Sequence, residues 1–143
     1  MRALGIDYGE RRIGLALSDP TGLLASPWKT ISNTGDVRHA AHRILAEVGT
    51  LGGDDRIDAI VIGLPRHLSG DPNDQTARVQ RLYELLKEAT TVPIALQDER
   101  LTSHEAEELL ARREKDWRRR KEQLDAVSAS LILQDYLDGR IRR

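Results

Sequence analysis

Two apolar runs open the chain, Leu4–Ile6 and Ile13–Ser18, joined by the polar stretch Tyr8-Gly9-Glu10-Arg11-Arg12. Short β-branched and aliphatic runs around a glycine-containing loop predict a hairpin. A third strand is expected within Leu23–Ile31, broken by Pro27. Asp36 then caps a predicted helix whose apolar positions Val37, Ala40, Ala41, Ile44, Leu45 and Val48 follow a 3.6-residue period, with Gly52-Gly53-Asp54-Asp55 ending it. Ile57–Leu64 is almost continuously apolar, as a strand covered on both faces should be. Asp71-Pro72 has the form of an N-cap followed by proline at the first helical position, and predicts a helix to about Ala89. Val92–Leu96 predicts another buried strand, running out into Gln97, Asp98, Glu99 and Arg100. Thr102 to Glu105 fit a capping box for the next helix. A basic segment follows, then a last helix expected from about Gln123 to Leu137 and stopped by Gly139.

The predicted order is β-β-β-α-β-α-β-α-α within a single domain spanning residues 1–143. Three strands in meander, then strands alternating with helices, predict an α/β fold. Its mixed sheet would hold three antiparallel N-terminal strands, then two parallel ones, with helices on both faces. Asp7 would lie on the central strand, and ligands of such sheets gather at the carboxyl ends of the parallel strands.

Composition narrows the chemistry. With no Phe and 3% aromatic residues, the core has to be built from Leu, Ile, Val and Ala. The absence of cysteine excludes disulfide scaffolds, thiolate metal sites and cysteine nucleophiles. No apolar run approaches the roughly 20 residues that span a bilayer, and no signal peptide precedes the first strand pattern, so a cytoplasmic location with no membrane partner is expected. The net charge of −1 is unevenly spread: from Ala111 onward ten Lys/Arg face six Asp/Glu, against twelve and seventeen before it. Such asymmetry points to a polyanionic partner for the C-terminal region.

Three acids break the local apolar logic: Asp7 near the end of the first strand, Glu99 after the last, and Asp125 opening the final helix beside Leu124, Ala126 and Val127. Each has a plain reading, as a turn residue, a loop acid favoured by a helix dipole, or a solvated helix position. Their predicted convergence on one end of the sheet argues for more. Buried ionised carboxylates cost several kcal/mol each unless compensated, and a divalent cation removes both that cost and their mutual repulsion. Hard oxygen donors on separate elements suit Mg²⁺ or Mn²⁺, and such an ion orients water and neutralises charge in phosphodiester displacement. Ala126, Ser128, Ala129 and Ser130 would let the helix backbone lie close to the sheet.

GIDYGERRIGLALSD at 5–19, GLPRHLSG at 63–70, DERLTSHEA at 98–106 and LDAVSASLILQDYL at 124–137 resemble the YqgF/RuvX family. The four motifs follow the family's order along essentially the whole chain. The resemblance implies an RNase H-like fold, related to the RuvC-type Holliday-junction resolvases. It implies Asp7, Glu99 and Asp125 as the catalytic, metal-binding acids of a divalent-metal-dependent endonuclease. Family members are associated with maturation of the 5′ end of 16S rRNA and some with cleavage of branched DNA. Precursor rRNA is therefore the first expected substrate and Holliday junctions the alternative, with a non-catalytic RNA-binding factor a further one. Ribosomal particles are a possible partner, and the chain is expected to act as a monomer or homodimer. Ser128 and Ser130 stand where the family often has alanine.

Around the acids, Arg11 and Arg12 in the hairpin, Arg66 in the GLPRHLSG loop and Arg100 beside Glu99 are candidate phosphate contacts, which position a nucleic acid without reading its sequence. For Arg100, pairing with a neighbouring carboxylate is the alternative. His67 has the ordinary pKa of a general base, although a loop histidine is more often a bystander. Residues 112–121 carry seven positive and two negative charges just before Asp125. Arg113, Arg118, Arg119, Arg120 and Lys121 are expected to neutralise phosphates with counterion release, and Trp117 to stack on an unpaired base. A solvated linker is the simpler account of that run. The opening hairpin also resembles the phosphate-binding hairpin of actin-like ATPases and sugar kinases, but those need two such domains around a cleft.

Overall fold

The computed structural model describes residues 1–65, 74–99, 111–112 and 117–141. The strands are β1 (Ala3–Tyr8), β2 (Arg12–Ser18), β3 (Ala25–Ser32), β4 (Ala59–Pro65) and β5 (Ile94–Glu99). The helices are α1 (Val37–Gly49), α2 (Asp74–Ala89) and α3 (Trp117–Ile141), with a 3₁₀ turn at Gly53–Asp55. The strands form one sheet in the order β3-β2-β1-β4-β5, so β1 is central. β1–β2 and β2–β3 are antiparallel, whereas β1–β4 and β4–β5 are parallel, which is the predicted mixed arrangement.

Period-2 alternation divides the sheet into two unlike faces. Leu4, Ile6, Ile13, Leu15, Ile60 and Ile62 point to one face and pack with Ile44 of α1 and Val79, Leu82 and Leu86 of α2. Ala3, Ala16, Ala59 and Val61 point to the other, against Ala129, Ile132, Leu133 and Leu137 of α3. Among the described residues, large aliphatics therefore hold α1 and α2 at ordinary distance on one side, while small residues let α3 sit close on the other. A Cβ at Gly5 would fall 2.7 Å from Leu133 Cβ and 2.9 Å from the Ala129 carbonyl oxygen.

Several boundaries differ from those expected. β3 is unbroken through Pro27, because it is an edge strand, where a residue without an N–H is tolerated. The cost appears as a register shift between Leu15 and Ala16, whose partners are Lys29 and Pro27. Asp36 caps α1 as predicted, accepting from Arg38 N at 2.9 Å and His39 N at 3.4 Å. β5 extends through Glu99, so that acid ends the strand rather than following it. α3 starts at Trp117 and passes through Gly139. Its first two turns lack apolar spacing, but Arg, Lys, Glu and Gln are strong helix formers. Its last turn is held by Arg140, which donates to Met1 Sδ and lies 5.9 Å from the Tyr136 ring centroid. Gln134 ties the helix to the β2–β3 connection, accepting from Ala25 N at 2.9 Å and donating to Leu23 O at 2.8 Å. The predicted start of α2 at Asp71-Pro72 and the Thr102–Glu105 capping box lie outside the described residues. Among the described residues no helix is long and apolar enough to cross a membrane.

Candidate active site

Asp7 is the penultimate residue of β1, paired with Gly14 of β2. Alternation places it on the same face as Ala3 and Gly5, beneath α3. On the other flank of β1, Gly63 follows Ile62, the partner of Ile6. Glycines thus stand beside Asp7 on both neighbouring strands, and the space over each is taken by another acid. A Cβ at Gly14 would lie 1.9 Å from the Asp125 carbonyl oxygen, so α3 crosses there with its backbone on the sheet. A Cβ at Gly63 would lie 2.7 Å from Glu99 Oε2, so the Glu99 side chain reaches back from the end of β5 across β4 towards β1.

The electrostatics record the same approach. The Asp7 carboxyl is pushed well above the usual carboxylate range, first by burial and then by the negative charges of Glu99 and Asp125. Burial also raises Glu99, to about 6. Asp125 meets a cation: Arg12 Nε donates to its Oδ2 at 2.6 Å. Arg12 is two residues before Gly14 on β2 and so shares its face, at the open rim of the site.

The α2 side of the same rim is tied down by polar contacts. Thr76 Oγ1 donates to the Pro65 carbonyl at 2.7 Å, and Gln75 Nε2 donates to the Tyr8 carbonyl at 2.7 Å. An exposed ion pair of 3.1 Å joins Arg78 to Glu10 in the hairpin loop. These contacts fix the carboxyl ends of β1 and β4 relative to each other.

The expected acids therefore come together, with one correction: Asp125 does not open its helix but lies two turns inside it, since α3 begins at Trp117. Arg11 is exposed at the hairpin, and Arg12 is placed against Asp125. The backbone of residues 117–121 forms the first turns of α3. At 1.5 Å per residue, Arg118, Arg119, Arg120 and Lys121 precede Asp125 by roughly 6 to 11 Å along the axis. Arg66, His67, Arg100 and Arg113 lie outside the described residues, as do the side chains of Trp117 to Lys121. The residues missed from the sequence are Gly14 and Gly63. Their signal was legible, because an isolated glycine inside a strand pattern often marks a close backbone approach.

A divalent cation fits this donor set. The three carboxylates are hard oxygen donors on β1, β5 and α3, and the burial of Asp7 together with the charges of Glu99 and Asp125 carries a cost that a bound cation would offset. Among the described residues no three acidic or histidine side chains are gathered tightly enough to enclose an ion as they stand.

Residues 1–139 match the family model described as "RuvX: Holliday junction resolvase". A protein of Chloroflexus aggregans is 40% identical over 137 residues, covering 96% of this chain and 93% of its own length. One from Roseiflexus sp. is 42% identical over 138 residues, covering 96% and 94%. Both carry the name "Putative pre-16S rRNA nuclease". Among solved structures, Thermus thermophilus RuvC in complex with a Holliday junction substrate superposes with a TM-score of 0.53 at 18% identity, covering 99% of this chain and 96% of that one. A second RuvC structure from the same organism gives 0.54 at 16% identity, covering 99% and 97%. At that identity the likeness establishes the fold, an RNase H-like sheet with the topology described above.

Proposed function

The chain belongs to the RuvX family, and from that membership we propose that it is a divalent-metal-dependent endonuclease that processes the 5′ end of precursor 16S rRNA. The observation that carries this reading is the meeting of Asp7, Glu99 and Asp125 at the carboxyl end of the central strands, close enough to shift the Asp7 carboxyl. Relatives at 40–42% identity over nearly their whole length share the name of a pre-16S rRNA nuclease, which favours RNA as the substrate.

Asp7 forms the floor of the site, held by β1 and desolvated beneath α3. Glu99 supplies a second carboxylate from the side of β5, and Asp125 a third from the helix above. Together they would hold Mg²⁺ or Mn²⁺, which when bound supplies a Lewis acid that neutralises phosphate charge and activates water. The Glu99 carboxyl, at about 6, is mostly ionised at neutral pH and ready to serve as a ligand. The basic first turns of α3, with Arg11 in the β1–β2 hairpin, supply sequence-independent phosphate contacts that lead a strand towards the acids. Arg66, Arg100, Arg113 and Trp117 are assigned to the same surface on sequence grounds.

A second reading, resolution of four-way DNA junctions, follows from the description of the matching family model. The deciding assay offers a precursor 16S rRNA 5′ fragment and a four-way DNA junction side by side, with Mg²⁺ or Mn²⁺, to the wild type and to Asp7→Asn and Asp125→Asn. Cleavage of the RNA that both substitutions abolish is the expected result. Cleavage of the junction alone would transfer the function to DNA, and undiminished activity in either variant would remove these acids from the mechanism.

A further inference from the structure

The Arg12–Asp125 pair calls for an explanation beyond stability. Its two side chains are 46% and 22% exposed, and ion pairs that open to water contribute little to folding. The contact is nevertheless specific. Nε donates to Oδ2 at 2.6 Å, across 113 residues of sequence, between the first residue of β2 and the third turn of α3. The backbone fixes both ends. Gly9 N donates to the Arg12 carbonyl at 3.0 Å and closes the hairpin, while Gly14, two residues along the same face, receives the Asp125 carbonyl. The guanidinium is therefore delivered to Asp125 from a rigid strand start.

A carboxylate offers about four lone-pair sites on two oxygens, and the contact to Nε uses one of them. We infer that Arg12 is a positioning residue for Asp125: by holding Oδ2 it turns the other carboxylate oxygen, Oδ1, towards Asp7 and Glu99 as a ligand for the divalent ion. This rests on the metal-site reading above. Hydrogen-bonded partners of carboxylate ligands typically account for 10- to 100-fold in metal affinity. A purely electrostatic role predicts the opposite sign, because a guanidinium beside the site repels a cation and its removal would tighten binding.

Mn²⁺ binding to the full chain, measured by isothermal titration calorimetry without nucleic acid, separates these cases. The variants are Arg12→Ala, Arg12→Lys, Asp7→Asn and Asp125→Asn, each checked for native secondary structure by circular dichroism. The expected result is that both Arg12 variants bind Mn²⁺ about 10- to 100-fold more weakly than wild type, the lysine variant included because it keeps the charge but lacks the planar Nε–H. Wild-type or tighter affinity in either Arg12 variant, with binding lost in Asp7→Asn and Asp125→Asn, would overturn the role of Arg12 and leave the metal site standing. Mn²⁺ binding unaffected by Asp7→Asn and Asp125→Asn, or absent from the wild type, would remove the metal site itself and the inference with it.

Discussion

Gly14 and Asp125 are in backbone contact: a methyl group on Gly14 would sit 1.9 Å from the Asp125 carbonyl oxygen. Since Gly14 pairs with Asp7, this contact sets how close the helix acid comes to the strand acid. Gly14→Ala has no flexible neighbour to push aside, so α3 itself must move. Overpacking of this kind usually costs about 1–3 kcal/mol, and an unyielding backbone puts this case at or above the upper end. Gly139→Ala is the control, because its Cβ meets nothing within 4 Å. Removing a helix-interior glycine there should stabilise by about 0.5–1 kcal/mol. Urea unfolding of the two variants should show shifts of opposite sign.

Gly63→Ala separates stability from chemistry. The new Cβ would meet Glu99 Oε2 at 2.7 Å and Ile132 Cδ1 at 2.6 Å, both far ends of flexible side chains. They can yield, so the stability loss should stay within about 1–2 kcal/mol. Displacing the Glu99 carboxylate by an ångström should cost on the order of 10²-fold in cleavage rate. A variant that unfolds like wild type and cleaves like wild type would show that the position of Glu99 is unimportant.

Asp7→Asn should stabilise the metal-free protein while abolishing cleavage. The substitution removes a charge that is both buried and repelled by Glu99 and Asp125, a gain of about 1–2 kcal/mol for each unit or so of relieved shift. Thermal unfolding in EDTA, compared with wild type, reads this directly. A lower midpoint for the variant would mean that the Asp7 carboxylate is held by interactions stronger than the repulsion.

Stability should depend on pH with a definite sign. Asp7 and Glu99 have folded-state values raised above their ordinary ones, so the native state binds protons more tightly than the unfolded chain. Stability from these groups is full below their unfolded values and is lost as pH rises through the folded ones. For Glu99 the window runs from 4.5 to about 6, a loss of roughly 2 kcal/mol at 1.36 kcal/mol per unit. Glu99→Gln should flatten that portion of the curve, and urea midpoints at pH 4.5 to 7.5 for the two proteins would show it.

Divalent ions should reverse that loss. Ligand carboxylates must be ionised to bind, so Mn²⁺ or Mg²⁺ should raise the unfolding midpoint at pH 7.5 and have little effect near pH 5. EDTA should return the protein to its metal-free stability. An ion-induced shift that persists unchanged at pH 5 would point to binding elsewhere.

Much of this was readable from local pattern alone. Short apolar runs bounded by turn residues located all five strands, the 3.6-residue spacing with Asp36 located α1, and three acids in apolar surroundings stood out as candidates. Patterns of this kind report which face of an element is buried, and that is a property of a few neighbouring residues. The start of α3 escaped because a charged run such as WRRRKEQ has helix propensity but no apolar spacing to betray it. Its passage through Gly139 escaped because a contact between Arg140 and Met1, from opposite ends of the chain, helps hold the final turn.

What the tertiary structure alone decided is distance. The amino-acid order made Asp7, Glu99 and Asp125 candidates, but only the packing of α3 against the small face of the sheet brings them within reach of one another. That approach depends on missing side chains at Gly14 and Gly63, and the pairing of Arg12 with Asp125 depends on two elements more than a hundred residues apart. Such spacing arises from contacts between distant segments, which no local window of sequence contains.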